Sequence, residues 1–371
     1  MNAPNAMGSV PSQGVDDVAS QSGSSMLSLR DLHLNYIQPV DMFERLGMLV
    51  KGRRAPRSVQ AVAGVDLDIR AGEVIGIVGE SGCGKSTLGR MISGILPPTS
   101  GEIFYRGQAI SGLVGAARRD YELGVQMIFQ DPYSSLNPRM RVIDIIGEAP
   151  VVHGMVKRTR KEEYVVQLMQ QVGLDPAYRF RYPHQFSGGQ RQRIGVARAL
   201  ALKPSLIVCD EAVAALDVSI QAQVLNLFIQ LRQELGLTYL FISHNLGVVS
   251  HIADRVVIMY LGRIVEIADT ETIFSRAHHP YTQALIKELP GLRTDQRQFD
   301  PIKGELPSPI APPPGCPFHP RCPKVMDRCR VERPLLKTLG QDGPAPGLPD
   351  ISLSLHQSAC HLNDVIPLEP K

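Results

Sequence analysis

The run Gly79-Glu80-Ser81-Gly82-Cys83-Gly84-Lys85-Ser86 constrains this chain more than any other segment. It fits G-x-x-x-x-G-K-[ST] and follows directly on the apolar run Val74 to Val78, which has the length of a buried central strand. The backbone from Gly79 through Ser81, Gly82, Cys83 and Gly84 can turn successive N–H groups toward one anion, and a helix starting near Lys85 adds its positive end. Lys85 supplies a point charge for terminal phosphate oxygens, Ser86 a hydroxyl for Mg²⁺, and Thr87 a hydrogen bond to the first phosphate. A glycine-rich turn without a ligand is the bland alternative; the order strand, glycine loop, helix argues against it.

Leu206-Ile207-Val208-Cys209-Asp210-Glu211 is an apolar strand that ends on two carboxylates. Paired acids at a strand end are commonly solvated caps. Beside the phosphate loop they acquire roles: Asp210 holds Mg²⁺ through water, and Glu211 orients the attacking water and takes its proton. Cys83 and Cys209, inside these two motifs, read as small packing residues.

The rest of the pattern sets the fold class. Leu27 to Tyr36 and Val59 to Ile69 alternate with period two, as half-buried antiparallel strands do, and a basic insertion at 37–58 between them reads as a surface loop. From Val142 to about Val196 the periodicity is helical, interrupted by Pro150 and Pro183, and short buried strands return at Leu206 to Cys209 and Tyr239 to Ile242. Pro307, Pro309, Pro312, Pro313, Pro314 and Pro317 then impose an extended segment that is neither helix nor central strand. The expectation is an α/β chain: a P-loop NTPase (RecA-like) core with an antiparallel β subdomain, an inserted α-helical subdomain over about 131–196, and an irregular Cys/Pro-rich C-terminal extension.

Composition closes off other classes. Lys and Arg number 39 against 36 Asp and Glu, a formal net charge of +3, too balanced for a partner bound through its phosphate backbone, so nucleic acid is not expected. The longest greasy stretch, Val256 to Ile267, is broken by Gly262, Arg263 and Glu266, so no span of about 18 apolar residues exists. Residues 1–25 lack the basic start and apolar centre of a secretory signal and read as a disordered leader of a cytosolic protein.

Phe186-Ser187-Gly188-Gly189-Gln190-Arg191-Gln192-Arg193 lies between the two nucleotide motifs and closely resembles the signature sequence of ATP-binding cassette (ABC) proteins. Ser187 and the Gly188 and Gly189 amides, with Gln190 behind them, open a helix and can face an anion. A capped helix with a glycine-rich entry is the bland reading of SGG alone. The resemblance implies that this anion is the γ-phosphate of ATP held by a second ATPase subunit, so that the active site forms in a dimer. It also implies that Gln130 is the Q-loop residue near Mg²⁺ and the water, His244 the switch histidine, Asp217 the D-loop acid between subunits, and Tyr36 the ring stacked on adenine. Core packing explains Tyr36 equally well. Ala212 and Ala214 depart from the Pro and Ser or Thr of many relatives. The boundaries that follow are a leader over 1–25, an ABC nucleotide-binding domain over 26–268, and an extension over 269–371.

Three longer runs, Phe129 to Pro138, Asp217 to Val224 and His279-Pro280-Tyr281-Thr282, are similar to the ATPases of oligopeptide, dipeptide and nickel importers. That likeness implies ATP hydrolysis at the cytoplasmic face of the inner membrane. It implies a paired ATPase, itself a paralogue, with two transmembrane permease subunits and an external solute-binding protein. A soluble ABC ATPase acting on ribosomes or nucleic acid is the alternative.

Cys316, Cys322, Cys329 and Cys360 stand at C-x5-C-x6-C-x30-C in a region that needs a staple. Four thiolates suit tetrahedral zinc or a [4Fe–4S] cluster, and zinc sites use tighter C-x₂₋₄-C pairs than occur here. Gly315 to Pro323 resembles the tail of peptide-importer ATPases, which carry a [4Fe–4S] cluster, and this ranks the cluster above zinc and above four free thiols. Far along the chain from the ATP motifs, such a group is expected to act as a brace; a redox sensor gating the ATPase is a further reading.

Overall fold

The computed structural model describes residues 25–37, 58–131, 133–289, 302, 304–339 and 356–364. The expected leader before Ser25 and nearly all of the 37–58 insertion lie outside the described residues.

The chain opens with β1 (Ser25–Ile37) and β2 (Ser58–Arg70), followed by β3 (Val74–Val78), α1 (Lys85–Ile92), β4 (Ser100–Tyr105), β5 (Gln108–Ala109), α2 (Gly115–Gly124) and β6 (Val125–Ile128). Three helices come next, α3 (Val142–Val152), α4 (Lys161–Gln171) and α5 (Gly188–Leu200). The chain then returns to β7 (Leu206–Asp210), α6 (Val218–Leu235), β8 (Thr238–Ser243), α7 (Leu246–Ser250), β9 (Arg255–Tyr260) and β10 (Arg263–Asp269). Helices α8 (Thr270–Arg276), α9 (Pro280–Lys287) and α10 (Asp327–Val331) and the short strands β11 (Lys337–Thr338) and β12 (Gln357–Ser358) follow.

Two sheets form. The antiparallel one runs β2-β1-β4-β5, and the larger runs β11-β12-β10-β9-β3-β8-β7-β6. Strands β9, β3, β8, β7 and β6 of the larger sheet pair in parallel, which accounts for their near-continuous apolar sequences: both faces are covered. Alternation still decides which cover each residue meets. Val74, Val78, Cys209, Phe241 and Ile258 face the helical subdomain and the C-terminal segment. Ile75, Ile77, Val208, Ile242 and Val257 face the antiparallel sheet and α1. Helix α1 lies close to the sheet because Gly89 has no side chain there; an added Cβ would sit 2.7 Å from Ile242 Cδ1.

Between β6 and β7, α4 and the residue after it pack through Val165, Leu168, Met169 and Val172, spaced for one helical stripe, against Ile143 and Ile146 of α3 and Ile194 of α5. Pro150, expected to interrupt this region, lies inside α3. It sits in the last turn, where the missing N–H costs a single bond, to the carbonyl four residues back, and the helix ends at Val152.

The C-terminal segment continues the main sheet. Ser358 and Gln357 of β12 pair with Glu266 and Ile267 of β10, and the Ala359 amide donates to the Val265 carbonyl at 2.8 Å. Cys316, Phe318 and Cys329 belong to the same core as Tyr260 and Tyr281.

Candidate active site

Parallel strands deliver their carboxyl ends to one edge of a sheet, where loops can converge on a ligand. Here β3 ends at Val78, β6 at Ile128, β7 at Asp210 and β8 at Ser243. Gly79, Gln130, Glu211 and His244 therefore leave the sheet side by side although the sequence scatters them.

The phosphate loop folds where the glycines demand it. Gly84 has φ 104°, and a Cβ there would stand 2.1 Å from the Ala61 carbonyl oxygen; at Gly79 it would meet the Met259 carbonyl oxygen at 2.2 Å. Lys85 is buried, and its Nζ donates to the Gly79 and Glu80 carbonyls at 2.7 and 2.9 Å, closing the loop on itself. Ser86 donates its hydroxyl to Asp210 Oδ1 at 2.6 Å. Burial pushes the Asp210 carboxyl above its ordinary pKa, against the Ser86 hydrogen bond and the charge of Arg90, with Glu211 adding to the upward push. A buried carboxylate of this kind is suited to a cation beside it.

Glu211 holds a left-handed backbone, φ 47°, fixed by its amide donating to the Ile242 carbonyl at 3.0 Å. Its Oε2 accepts from Gln130 Nε2 at 2.7 Å and lies 3.4 Å from His244 Nδ1. A cavity of about 320 Å³ joins Tyr36, the loop residues Ser81, Gly82, Gly84, Lys85, Ser86 and Thr87, and Gln130 and Glu211, whereas Gly79 and the buried Cys83 of the same loop do not line it. Tyr36 is 43 % exposed at its mouth, so core packing does not account for this ring.

Ser187, Gly188, Gly189, Gln190 and Asp217 are not among the described residues lining that cavity. Ser187 caps α5 reciprocally: its amide donates to Gln190 Oε1 at 3.0 Å while its hydroxyl accepts from the Gln190 amide. Ser187 and Asp217 face solvent, so an SGG turn and an acid wait at the surface of the same molecule. Ala212 is buried and Ala214 exposed.

Residues 62–214 match the ABC transporter family, and residues 265–329 match the C-terminal region of oligopeptide/dipeptide transporters. A probable peptide ABC transporter ATP-binding protein of Sinorhizobium fredii is 51 % identical over 279 residues, covering 75 % of this chain and 79 % of its own. This chain belongs to the ABC transporter ATP-binding proteins. It is an ABC ATPase, 48 % identical to the oligopeptide transport protein AppF of Bacillus subtilis over 84 % of this chain and 92 % of that one. The dipeptide transport protein DppF of Escherichia coli is likewise 48 % identical, over 78 % and 87 %. The same fold occurs in cbiO1 of Clostridium perfringens, at a TM-score of 0.56 and 24 % identity over 68 % of this chain and 91 % of that one.

In this ABC ATPase the C-terminal segment reaches the candidate site, although a long stretch of sequence separates the two. Pro309 lines the cavity, and Arg321 contacts Glu80 of the phosphate loop. Val59 and Ala61 of β2 line it as well. No residue of this segment signalled the contact in the sequence: the Tyr281 motif, Pro309 and Arg321 were read only for family likeness and chain stiffness.

Proposed function

We propose that this ABC ATPase powers the import of peptides. The observation that carries the chemistry is the meeting of Gln130, Glu211 and His244 beside the Ser86–Asp210 pair at the end of the phosphate loop. Glu211 holds the attacking water and accepts its proton, Gln130 fixes the carboxylate, and His244 donates toward the transferred phosphoryl group. Lys85 exchanges its two carbonyl partners for phosphate oxygens. Ser86, Asp210 and Gln130 form a hard oxygen donor set that fits Mg²⁺, which when bound neutralises charge on the phosphates. Tyr36 stacks on the base. Exposed Ser187 and Asp217 support a site completed by a second ATPase subunit, whose Ser187-Gly188-Gly189-Gln190 turn closes on the γ-phosphate.

The 26–268 nucleotide-binding domain, its helical subdomain and the 269–371 Cys/Pro-rich extension are proposed as units of this machine. Among the described residues no helix is long and apolar enough to cross a membrane, and no three His, Cys, Asp or Glu side chains converge on one ion. On the likeness to the peptide-transport relatives, the proposed complex is peripheral at the cytoplasmic face, bound to two permeases and served by an external solute-binding protein. A [4Fe–4S] cluster on Cys316, Cys322, Cys329 and Cys360 is proposed ahead of zinc on the spacing and resemblance of the four thiols alone; as the side chains stand, they do not form a group that could hold a metal. Burial raises the pKa of Cys316 to about 11 and of Cys360 to about 12, so both are neutral thiols unless a metal displaces their protons. Purification of the tagged chain from its native membrane tests the assignment. Two permeases and a solute-binding protein are expected beside it; ribosomes in their place would overturn it.

A further inference from the structure

Glu80 of the phosphate loop is held at three points, and two of the holds come from the far end of the chain. Its amide donates to the Tyr281 hydroxyl at 2.9 Å, its carbonyl accepts from Lys85 Nζ at 2.9 Å, and its carboxylate accepts from Arg321 Nη1 at 2.8 and 3.0 Å. Arg321 lies on the turn His319–Arg321 between Cys316 and Cys322, with 6 % of its side chain exposed. A guanidinium so enclosed needs a partner, and Glu80 supplies it, with the Tyr260 hydroxyl more distant at 3.5 Å. Tyr281 is aimed by packing: its ring is buried against Tyr260 at 4.8 Å and Phe318 at 5.3 Å.

The charge at Glu80 matters because of its neighbours. Ser81, Gly82 and Gly84 line the cavity, whereas Glu80 does not; its carboxylate is drawn behind the loop toward Arg321. Released, that carboxylate would add a negative charge one residue from amides that must face a polyanion. We propose that Arg321 is a positioning residue for ATP: it neutralises Glu80 and holds it behind the phosphate loop, which makes the cysteine-bearing segment part of the nucleotide-binding machinery. This rests on reading Gly79 to Ser86 as the triphosphate loop.

The test measures the MgATP Kd by calorimetry on the full chain, and kcat and KM from phosphate release, for Arg321→Met, Glu80→Gln and the double variant. Arg321→Met weakens Kd and raises KM about tenfold while kcat stays within about threefold. Arg321→Lys keeps the charge and most of the affinity. The double variant returns Kd to within about twofold of the parent, because the carboxylate that needed neutralising is gone. An arginine that merely braced the tail would leave the double as weak as the single, and that result, or an unchanged Kd in Arg321→Met, overturns the proposal. Should Arg321→Met fail to fold, Glu80→Gln decides alone: it leaves a cation facing the loop, so its Kd equals or betters the parent's, and a clear weakening overturns the proposal. Parent protein that binds no MgATP would instead remove the reading of the loop itself.

Discussion

Gln130 donates its side-chain amide to Glu211 Oε2 at 2.7 Å, across 81 residues of sequence. Helices α3, α4 and α5 follow Gln130 along the chain before β7, so this side chain ties the start of that helical stretch to the carboxylate that faces the cavity.

Glu211→Gln keeps the shape of that contact but removes the proton acceptor. Turnover falls by at least about 100-fold while MgATP still binds, measured as phosphate release beside calorimetric Kd. Unchanged turnover would remove Glu211 from the general-base role.

Tyr36 stands exposed at the mouth of the cavity, so its ring is available to a base. Tyr36→Ala costs about 1–3 kcal/mol of nucleotide affinity, and Tyr36→Phe restores most of it. Equal affinities in all three would leave the ring without a ligand.

Gly84 tolerates no side chain, because a Cβ would press on the Ala61 carbonyl and φ 104° is itself unfavourable to other residues. Gly84→Ala lowers folding stability by about 2 kcal/mol or more and abolishes nucleotide binding, read by the urea midpoint and by calorimetry.

Glu266 is fully buried, accepting from the His278 and His279 amides at 2.6 and 3.1 Å and lying 2.8 Å from His356 Nε2. Burial alone would raise its pKa, but the His356 contact and the His278 amide outweigh it and hold the carboxyl below its ordinary value. A depressed folded pKa means the stabilisation is complete above the unfolded value of about 4.3 and is lost as pH falls through the folded one. Glu266→Gln flattens this acid limb of the stability curve, measured by urea midpoints from neutral pH downward. An unflattened limb would show that other carboxylates set it.

Cys316, Cys322, Cys329 and Cys360 are expected to yield about four irons per chain on anaerobic purification, with a broad visible absorbance that air bleaches. Cys322→Ser removes both signals. Iron-free, zinc-containing protein would reverse the ranking of the two metals.

The order strand, glycine loop, helix over Val74 to Ile92 was legible because it is local, all three lying within one short stretch. The period-two runs gave β1 and β2 to within a residue or two for the same reason. Strand β6, Val125–Ile128, was not foreseen, since four residues are too few to establish a period. The contact between the tail and the loop could not be read for a different reason. Arg321 and Glu80 are 241 positions apart, and the distance between them is set by the sheet order that places β10 beside β9 and β9 beside β3. Nothing in the residues near Arg321 records that order.

Strand β12 borrows its partner from the middle of the protein, covering Glu266 and Ile267 of β10. A ribosome that stopped short of residue 356 would release a product whose sheet ends on an unpaired edge beside buried Ile264, Val265 and Ile267, and whose Glu266 has lost His356. Such a product self-associates or is degraded instead of persisting as a slower enzyme. Nonsense changes this late in the reading frame would accordingly appear as missing protein, not as reduced rate.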